Sequence, residues 1–429
     1  ASDVLPLIPY TRKVLYLDNG HVARLTASSV EITDLECNVV ELPVEEVELS
    51  AGGDDNWEVL AEKEGYPHFM LKEMHQQPAV LEHALVTYTD ATSKAIQFPD
   101  LGALEAQLPQ LRRVVIVACG TAWHAGLVGK YLMEHFARIP VEVDLASEYR
   151  YRDPVLDPET LVIAVSQSGE TADTLEAVRQ ANAAGAPVLG LVNVAGSSIA
   201  REATGLIYLQ AGPEIGVAST KAYTAQMTIL ALLALLLGQR RGTLTDEAVA
   251  DHLGYLHQIP DHVRWCLDHK EVVSEVAALP RYRDAANAMF IGRGVNYPSA
   301  LEGALKLKEI SYIHVEGYAA GEMKHGPIAL VTDGIPVVAI ALKGDVYPKL
   351  LSNIEEIRAR QGHVLAIATE GDKQIETVAD DIITVPDCPE VFSPLVAAVP
   401  LQLFAYYVAV HLGRDVDQPR NLAKSVTVE

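Results

Sequence analysis

Basic residues are scarce in this 429-residue chain, where 33 lysines and arginines stand against 57 aspartates and glutamates for a formal net charge of -24. A surface so poor in cations does not neutralise a run of phosphates, so neither nucleic acid nor an anionic membrane is an expected partner. Cysteine is sparse too. Cys37, Cys119, Cys266 and Cys388 lie far apart with no C-x-x-C, and no secretory hydrophobic segment opens the sequence, which predicts a reducing cytoplasmic setting without disulfides. Long hydrophobic runs are missing as well. The most apolar stretch, Ile229 to Leu237, stops at Gly238 and then Gln239, Arg240 and Arg241, about half of the ~20 residues a membrane span needs, and predicts a buried helix.

What the chain does have is core-forming material: 49% of it is hydrophobic, enough for two or three domains. From Arg113 onward, short apolar runs such as Val114 to Ala118, Leu161 to Val165 and Val188 to Val192 alternate with helical patterns, as in a parallel sheet covered on both faces. The rhythm returns in Met289 to Gly292, Pro336 to Ala341 and His363 to Ala368. A duplication underlies it, because Val117 to Tyr151 lies over Ile291 to His325 without a gap, matching Gly120 to Gly294, Gly129 to Gly303 and Glu148 to Glu322. The expected fold class is therefore α/β, two tandem doubly wound parallel-sheet domains of flavodoxin-like type, at 101–242 and 281–412. A helical connector at 243–280 joins them. Residues 1–50 read as a short β-rich piece, with Val14 to Leu17 and Val22 to Leu25 as a hairpin around Asp18-Asn19-Gly20. A linker and helices occupy 51–100, with Ala51 to Asn56 polar and Trp57 to Leu85 helical, and 413–429 is a docked tail.

The first copy carries a loop suited to a phosphate. The buried-strand pattern Leu161 to Val165 runs into Ser166-Gln167-Ser168-Gly169-Glu170-Thr171 and then a helix, so backbone N–H groups and the helix dipole converge where three hydroxyls and one amide are available. The same residues would also serve as a simple N-capping loop. Against that, the aligned stretch of the second copy, Ile340 to Asp345, has lost every hydroxyl. Nucleotide motifs are absent: Gly292-Arg293-Gly294 has Tyr297 where a dinucleotide fingerprint has its third glycine, and no G-x-x-x-x-G-K-[ST] occurs. A sugar phosphate is the better candidate.

The second copy carries acids, bases and amines. Helical spacing sets Glu302, Lys306 and Glu309 on one side, either as a proton-transferring face or as a solvated salt-bridge ladder. Gly321 to Pro327 places His325 in a polar loop, catalytic or structural. In the tail, Lys424 is either a surface lysine or an amine desolvated over a pocket and able to form an imine with a ketone. His262, Cys266 and His269 share a helix face in the connector; with no fourth ligand in view, an interhelix face is the better reading, and no metal or other cofactor is expected.

Taken together, Cys119-Gly120-Thr121, Ser166 to Thr171, Glu214 to Lys221, Ala304 to Glu309, Lys324 to Pro327 and the ending from Asp417 to Glu429 resemble the glutamine:fructose-6-phosphate amidotransferases, whose isomerising half consists of paired sugar-isomerase (SIS) domains. The resemblance covers nearly the whole chain. It implies that Ser166, Gln167, Ser168 and Thr171 hold the phosphate of fructose 6-phosphate, that Thr121 also contacts the substrate, and that Val217, Ser219 and Ala423 line the sugar. Lys424 would form the imine at C2, Glu309 would shuttle the proton between C1 and C2, and Lys306 would stabilise developing charge or assist the amine. His325 would open the ring in a neighbouring subunit's site, which implies a homodimer. The product would be glucosamine 6-phosphate.

Two departures accompany the resemblance. Ala122 stands where the family has serine, which removes one hydrogen bond near the substrate. The sequence opens Ala1-Ser2-Asp3, without the cysteine that begins the family's glutaminase half, so residues 1–50 read as that domain's last strands and glutamine hydrolysis is not expected. Two rival readings are a fructosamine-phosphate deglycase, disfavoured by the β-rich start, and a non-catalytic sugar-phosphate sensor, disfavoured by Lys306, Glu309, His325 and Lys424 occurring together.

Overall fold

A computed structural model describes residues 7, 10–17, 20–46, 62–90, 92 and 94–427. The chain divides into two compact units, residues 1–62 and 63–429. In the first, strand β1 (Lys13–Val14) pairs antiparallel with β4 (Glu45–Glu46), and β2 (Val22–Leu25) pairs antiparallel with β3 (Val30–Thr33). This corrects the expected hairpin. Val22–Leu25 turns back through Thr26–Ser29, where the Thr26 hydroxyl accepts from the Ser28 and Ser29 N–H groups at 3.3 and 2.9 Å, and does not pair with residues 14–17. Asp18, Asn19 and the expected linker at 51–56 lie outside the described residues. Trp57 to Ala61 does too.

The second unit opens with helix α1 (Phe69–Tyr88), later than the helical pattern predicts, since Glu62 to His68 is not helical. Two five-stranded parallel sheets follow. The first has β5 (Arg113–Ala118), β6 (Val141–Leu145), β7 (Thr160–Ser166), β8 (Val188–Val192) and β9 (Gly205–Tyr208) in the order β6-β5-β7-β8-β9. The second has β10 (Asn287–Gly292), β11 (His314–Ala319), β12 (Pro336–Ala341), β13 (His363–Thr369) and β14 (Asp381–Val385) in the identical order β11-β10-β12-β13-β14. The principal helices around them are α2 (Gly120–Phe136), α3 (Ala172–Ala183), α4 (Lys221–Arg240), α5 (Tyr297–Ser311), α6 (Tyr347–Arg358) and α7 (Ser393–His411). The central strands are buried on both faces, β7 along its whole length, which is why they read as unbroken apolar runs.

Duplicated residues do duplicated work. Gly120 and Gly294, each with φ near +55° (54° and 57°), make the strand-to-helix turn that a side chain would strain. Gly129 lets α2 lie against Ile116 and Leu230, where a Cβ would stand 3.1 Å from the Leu230 side chain; its match Gly303 lets α5 lie against Phe290 and Leu401, where a Cβ would stand 2.7 Å from the Phe290 ring. The gapless register does not run through. Val115 pairs with Glu142 and Val162 while Met289 pairs with Glu316 and Val337, so one residue is inserted before the third strand of the second copy. Ser166 thus corresponds to Ala341, not Ile340, and the corresponding loop still has no hydroxyl.

Helices α4 and the segment ending α7 are long and apolar enough to cross a membrane by length and composition, but 94% and 89% of their apolar windows are buried inside the unit. The helix over Ile229–Leu237 is thus longer than the apolar run itself. In the connector, Cys266 is buried and the His269 ring stacks on Trp265 at 3.7 Å between centroids, its Nδ1 2.8 Å from the Trp265 carbonyl.

Candidate active site

In a doubly wound sheet, ligands bind beyond the carboxyl ends of the strands where the order reverses. In the first sheet that point lies between β5 and β7. β5 runs into Cys119-Gly120-Thr121, and β7 into the Ser166–Thr171 loop. Inside the loop the Ser166 hydroxyl accepts from Gly169 N–H and lies 3.0 Å from the Thr171 hydroxyl, and the Ser168 hydroxyl accepts from Glu170 N–H at 3.2 Å. The Ser166–Thr171 pair uses one hydroxyl hydrogen internally and keeps the other; Ser168 keeps its own. Hydrogens thus remain for an anion at the start of α3.

The acid in this loop is engaged elsewhere: Glu170 accepts from Ser198 N–H at 2.8 Å and Ser198 O–H at 2.7 Å. Gly169, at φ 67°, is essential to the shape: a Cβ there would stand 2.0 Å from Ser197 Oγ. Gly169→Ala is expected to destabilise the protein by about 1–3 kcal/mol and raise KM for a phosphorylated substrate more than it lowers kcat. Thermal unfolding and steady-state kinetics check both.

The tail docks at both ends of this region. Near its start, the Asp417 carboxylate accepts from Phe69 and Met70 N–H at 2.9 Å each, capping α1, while the Asp417 carbonyl accepts from Val217 N–H at 3.1 Å. Near its end, the Val426 carbonyl accepts from Ala172 N–H at 3.2 Å, in the first turn of α3 beside the hydroxyl loop. Between these anchors the Lys424 ammonium donates to the Glu214 carboxylate at 2.5 Å and to the Gly216 carbonyl at 2.8 Å. It is no free surface lysine. Its side chain is 21% exposed, and that of Glu214 is fully buried. The other Glu214 oxygen accepts from Thr220 and Ala222 N–H at the start of α4. Burial opposes ionisation of Glu214, but the Lys424 charge and these donors hold its carboxyl below the usual range.

A second cluster joins the two sheet domains. Glu302, on α5, accepts from the Thr121 hydroxyl at 3.1 Å and lies 2.7 Å from His124 Nδ1, both on α2. Lys306 lies 3.5 Å from Glu302 and 2.6 Å from Glu309. Glu302 and Lys306 are buried, so this face is not a solvated ladder, and Glu309 has its side chain 21% exposed. Burial works against the Lys306 charge, yet Glu309 and then Glu302 hold its pKa above the ordinary lysine value, with Glu214 adding to the effect. The Glu214–Lys424 pair is therefore electrostatic neighbour to the Glu302–Lys306–Glu309 set.

Of the other expected site residues, Gln167, Val217 and Ser219 are half-buried and Ala423 is exposed. Ala122 is half-buried and packs on the core. His325 is exposed at the end of a short helical segment, Ala320–His325, and among the described residues of this single chain it bonds to no member of either cluster. Sequence reasoning gave no role to Glu73, His124 or Glu214. His124 shares a helix face with Thr121, which was a usable signal; Glu73 offered none.

Residues 107–236 and 281–412 match the SIS domain family, which makes this a tandem SIS protein. A solved chain from Francisella tularensis, described as the C-terminal domain of glucosamine-fructose-6-phosphate aminotransferase, superposes with a TM-score of 0.79 at 38% identity, covering 83% of this chain and 100% of that one. A glutamine–fructose-6-phosphate aminotransferase [isomerizing] of Thermus thermophilus is 53% identical over 429 residues, 100% of this chain and 69% of its own length. That of Chlorobaculum tepidum is 48% identical, over 100% and 68%. The chain belongs to the isomerizing glutamine–fructose-6-phosphate aminotransferase family.

Proposed function

We propose that this chain binds fructose 6-phosphate and converts it to an aldose through an imine on Lys424, yielding glucosamine 6-phosphate when ammonia is supplied. The observation that carries the reading is the placement of the Lys424 amine: it is fixed by a buried carboxylate and a carbonyl, on a tail whose Val426 carbonyl meets the first turn of α3 at the hydroxyl loop. The phosphate sits on Ser166, Gln167, Ser168 and Thr171, with Thr121 beside it, and Val217, Ser219 and Ala423 line the sugar. A ketone at C2 then faces an amine, and a protonated imine acidifies the C1 hydrogens. Glu309, partly exposed and paired with buried Lys306, takes a C1 proton and delivers it to C2. Lys306 steadies the charge that develops on the neighbouring oxygen.

His325 opens the sugar ring from the partner subunit of a homodimer, a role that suits its exposure and its lack of bonds to either cluster among the described residues. The setting is the cytoplasm. Borohydride reduction in the presence of fructose 6-phosphate, followed by peptide mapping, tests the reading: label on Lys424 supports it, and binding without label favours a sensor. Glucosamine 6-phosphate formation from ammonia, compared with breakdown of a fructosamine phosphate, separates synthase from deglycase.

A further inference from the structure

Glu73, on α1, is a buried carboxylate with no role in the scheme above. One oxygen accepts from both Ile215 N–H and Gly216 N–H, at 2.5 and 3.1 Å. The other is buried without a hydrogen-bond partner and packs against Gly216, where a Cβ would come within 2.9 Å of it. Gly216 is the residue whose carbonyl receives the Lys424 ammonium. Glu73 therefore grips the same loop that holds the lysine, through its N–H groups where Lys424 takes a carbonyl.

Its charged neighbours among the described residues begin with the tail's Asp417 carboxylate, held on Phe69 and Met70 N–H one turn earlier on the helix. Glu214 and Lys424 face Glu73 from the loop and the tail, and Lys221 faces it from the start of α4, its ammonium held 2.8 Å from Gln76. On its own helix Lys72 is paired with Glu64 at 3.0 Å. The connector helix Ile259–Asp268 meets α1 through Arg264, which is spent on Glu82 and Asp261. α7 offers a neutral Gln402 to Gln77. Burial first, and the Glu214 charge second, push the Glu73 carboxyl up to about 7, with Lys424 a weaker opposing influence.

We infer that Glu73 is a positioning residue whose ionised form loosens the Lys424–Glu214 ion pair and so releases the lysine as a free amine. The inference rests on the imine reading of Lys424. Imine formation begins with transfer of one proton from the Lys424 ammonium to Glu214. The amine lone pair then attacks C2, and the carbonyl π pair moves to oxygen. Water leaves carrying two of the three original ammonium hydrogens, one of them returned through Glu214, and a protonated imine remains with the charge unchanged. A negative Glu73, bonded to the N–H groups of Ile215 and Gly216 that directly follow Glu214, repels the Glu214 carboxylate and so raises the energy of the charged pair relative to the neutral one. Proton transfer is favoured when Glu73 is ionised.

Glu73→Gln tests this, since the amide oxygen still accepts from Ile215 and Gly216 while the titrating charge is gone. In the wild type, kcat/KM for isomerisation of fructose 6-phosphate should rise with pH through an ionisation at about 7. In the variant that limb should vanish: above it the rate falls about 10-fold, and below it the two proteins coincide. A limb that persists in the variant, or a rate lowered equally at every pH, overturns the inference and leaves Glu73 only a structural part. Should the variant not fold, ¹³C titration of the wild-type Glu73 carboxyl decides: a midpoint near neutrality supports the inference, and one in the ordinary carboxylate range overturns it. Failure of the wild type to trap substrate on Lys424 removes the imine reading itself, a result distinct from either.

Discussion

Lys424→Arg should abolish both borohydride trapping and isomerisation, lowering kcat by at least about 10³-fold while KM for fructose 6-phosphate changes little. Arginine keeps the positive charge and can still donate to Glu214 and to the Gly216 carbonyl, so the buried Glu214 carboxylate is not left unpaired and the tail stays anchored through Asp417 and Val426. What arginine cannot do at accessible pH is lose its proton, and without a lone pair there is no attack on C2. The contrast with Lys424→Ala is informative. Alanine removes the partner of a fully buried carboxylate, so that variant should also lose thermal stability, as expected when one half of a buried ion pair is deleted. A Lys424→Arg protein that turns over at more than a few per cent of the wild-type rate would rule out the imine.

Glu309→Gln should have the second largest effect, a loss of about 10²–10⁴ in isomerisation, with trapping on Lys424 preserved. Glutamine can accept from Lys306 in place of the carboxylate at 2.6 Å, and the second carboxylate near Lys306, Glu302, remains. Only the base is removed. The diagnostic readout is exchange of the C1 hydrogen with solvent deuterium, which should stop in the variant while the reduced imine is still recovered on Lys424. Loss of both signals together would place Glu309 in binding and not in proton transfer.

The two sheets were legible because fully buried parallel strands need apolar side chains on both faces, and runs as short as Leu161 to Val165 suit a strand better than a buried helix such as the one over Ile229 to Leu237. The turn from β7 into α3 was legible for a related reason: its hydroxyls and their hydrogen bonds are local, contained in six consecutive residues. The N-terminal hairpin was misread because Asn19-Gly20 is a strong turn signal, yet the Thr26 hydroxyl offers a competing turn between Val22–Leu25 and Val30–Thr33. Helix α7 gives no periodic signal, since it is apolar nearly all round and buried on all but a few positions. The carboxylates were hardest. Glu73 meets a loop far away in sequence, and Glu302 finds Thr121 and His124 on the other copy; no spacing rule connects them. The duplication was readable as similarity, but not the single inserted residue that strand pairing exposes.

The bridge from Glu302 to Thr121 and His124 bears on how such a protein could have arisen. An acid interred in one repeat takes two of its contacts from its sibling, so splitting the gene between them would leave it only the ammonium of its own repeat and would orphan a hydroxyl and an imidazole on the other product. Once that handshake existed, the ancestral doubling could no longer be undone, and each repeat was free to specialise only in ways its twin would tolerate.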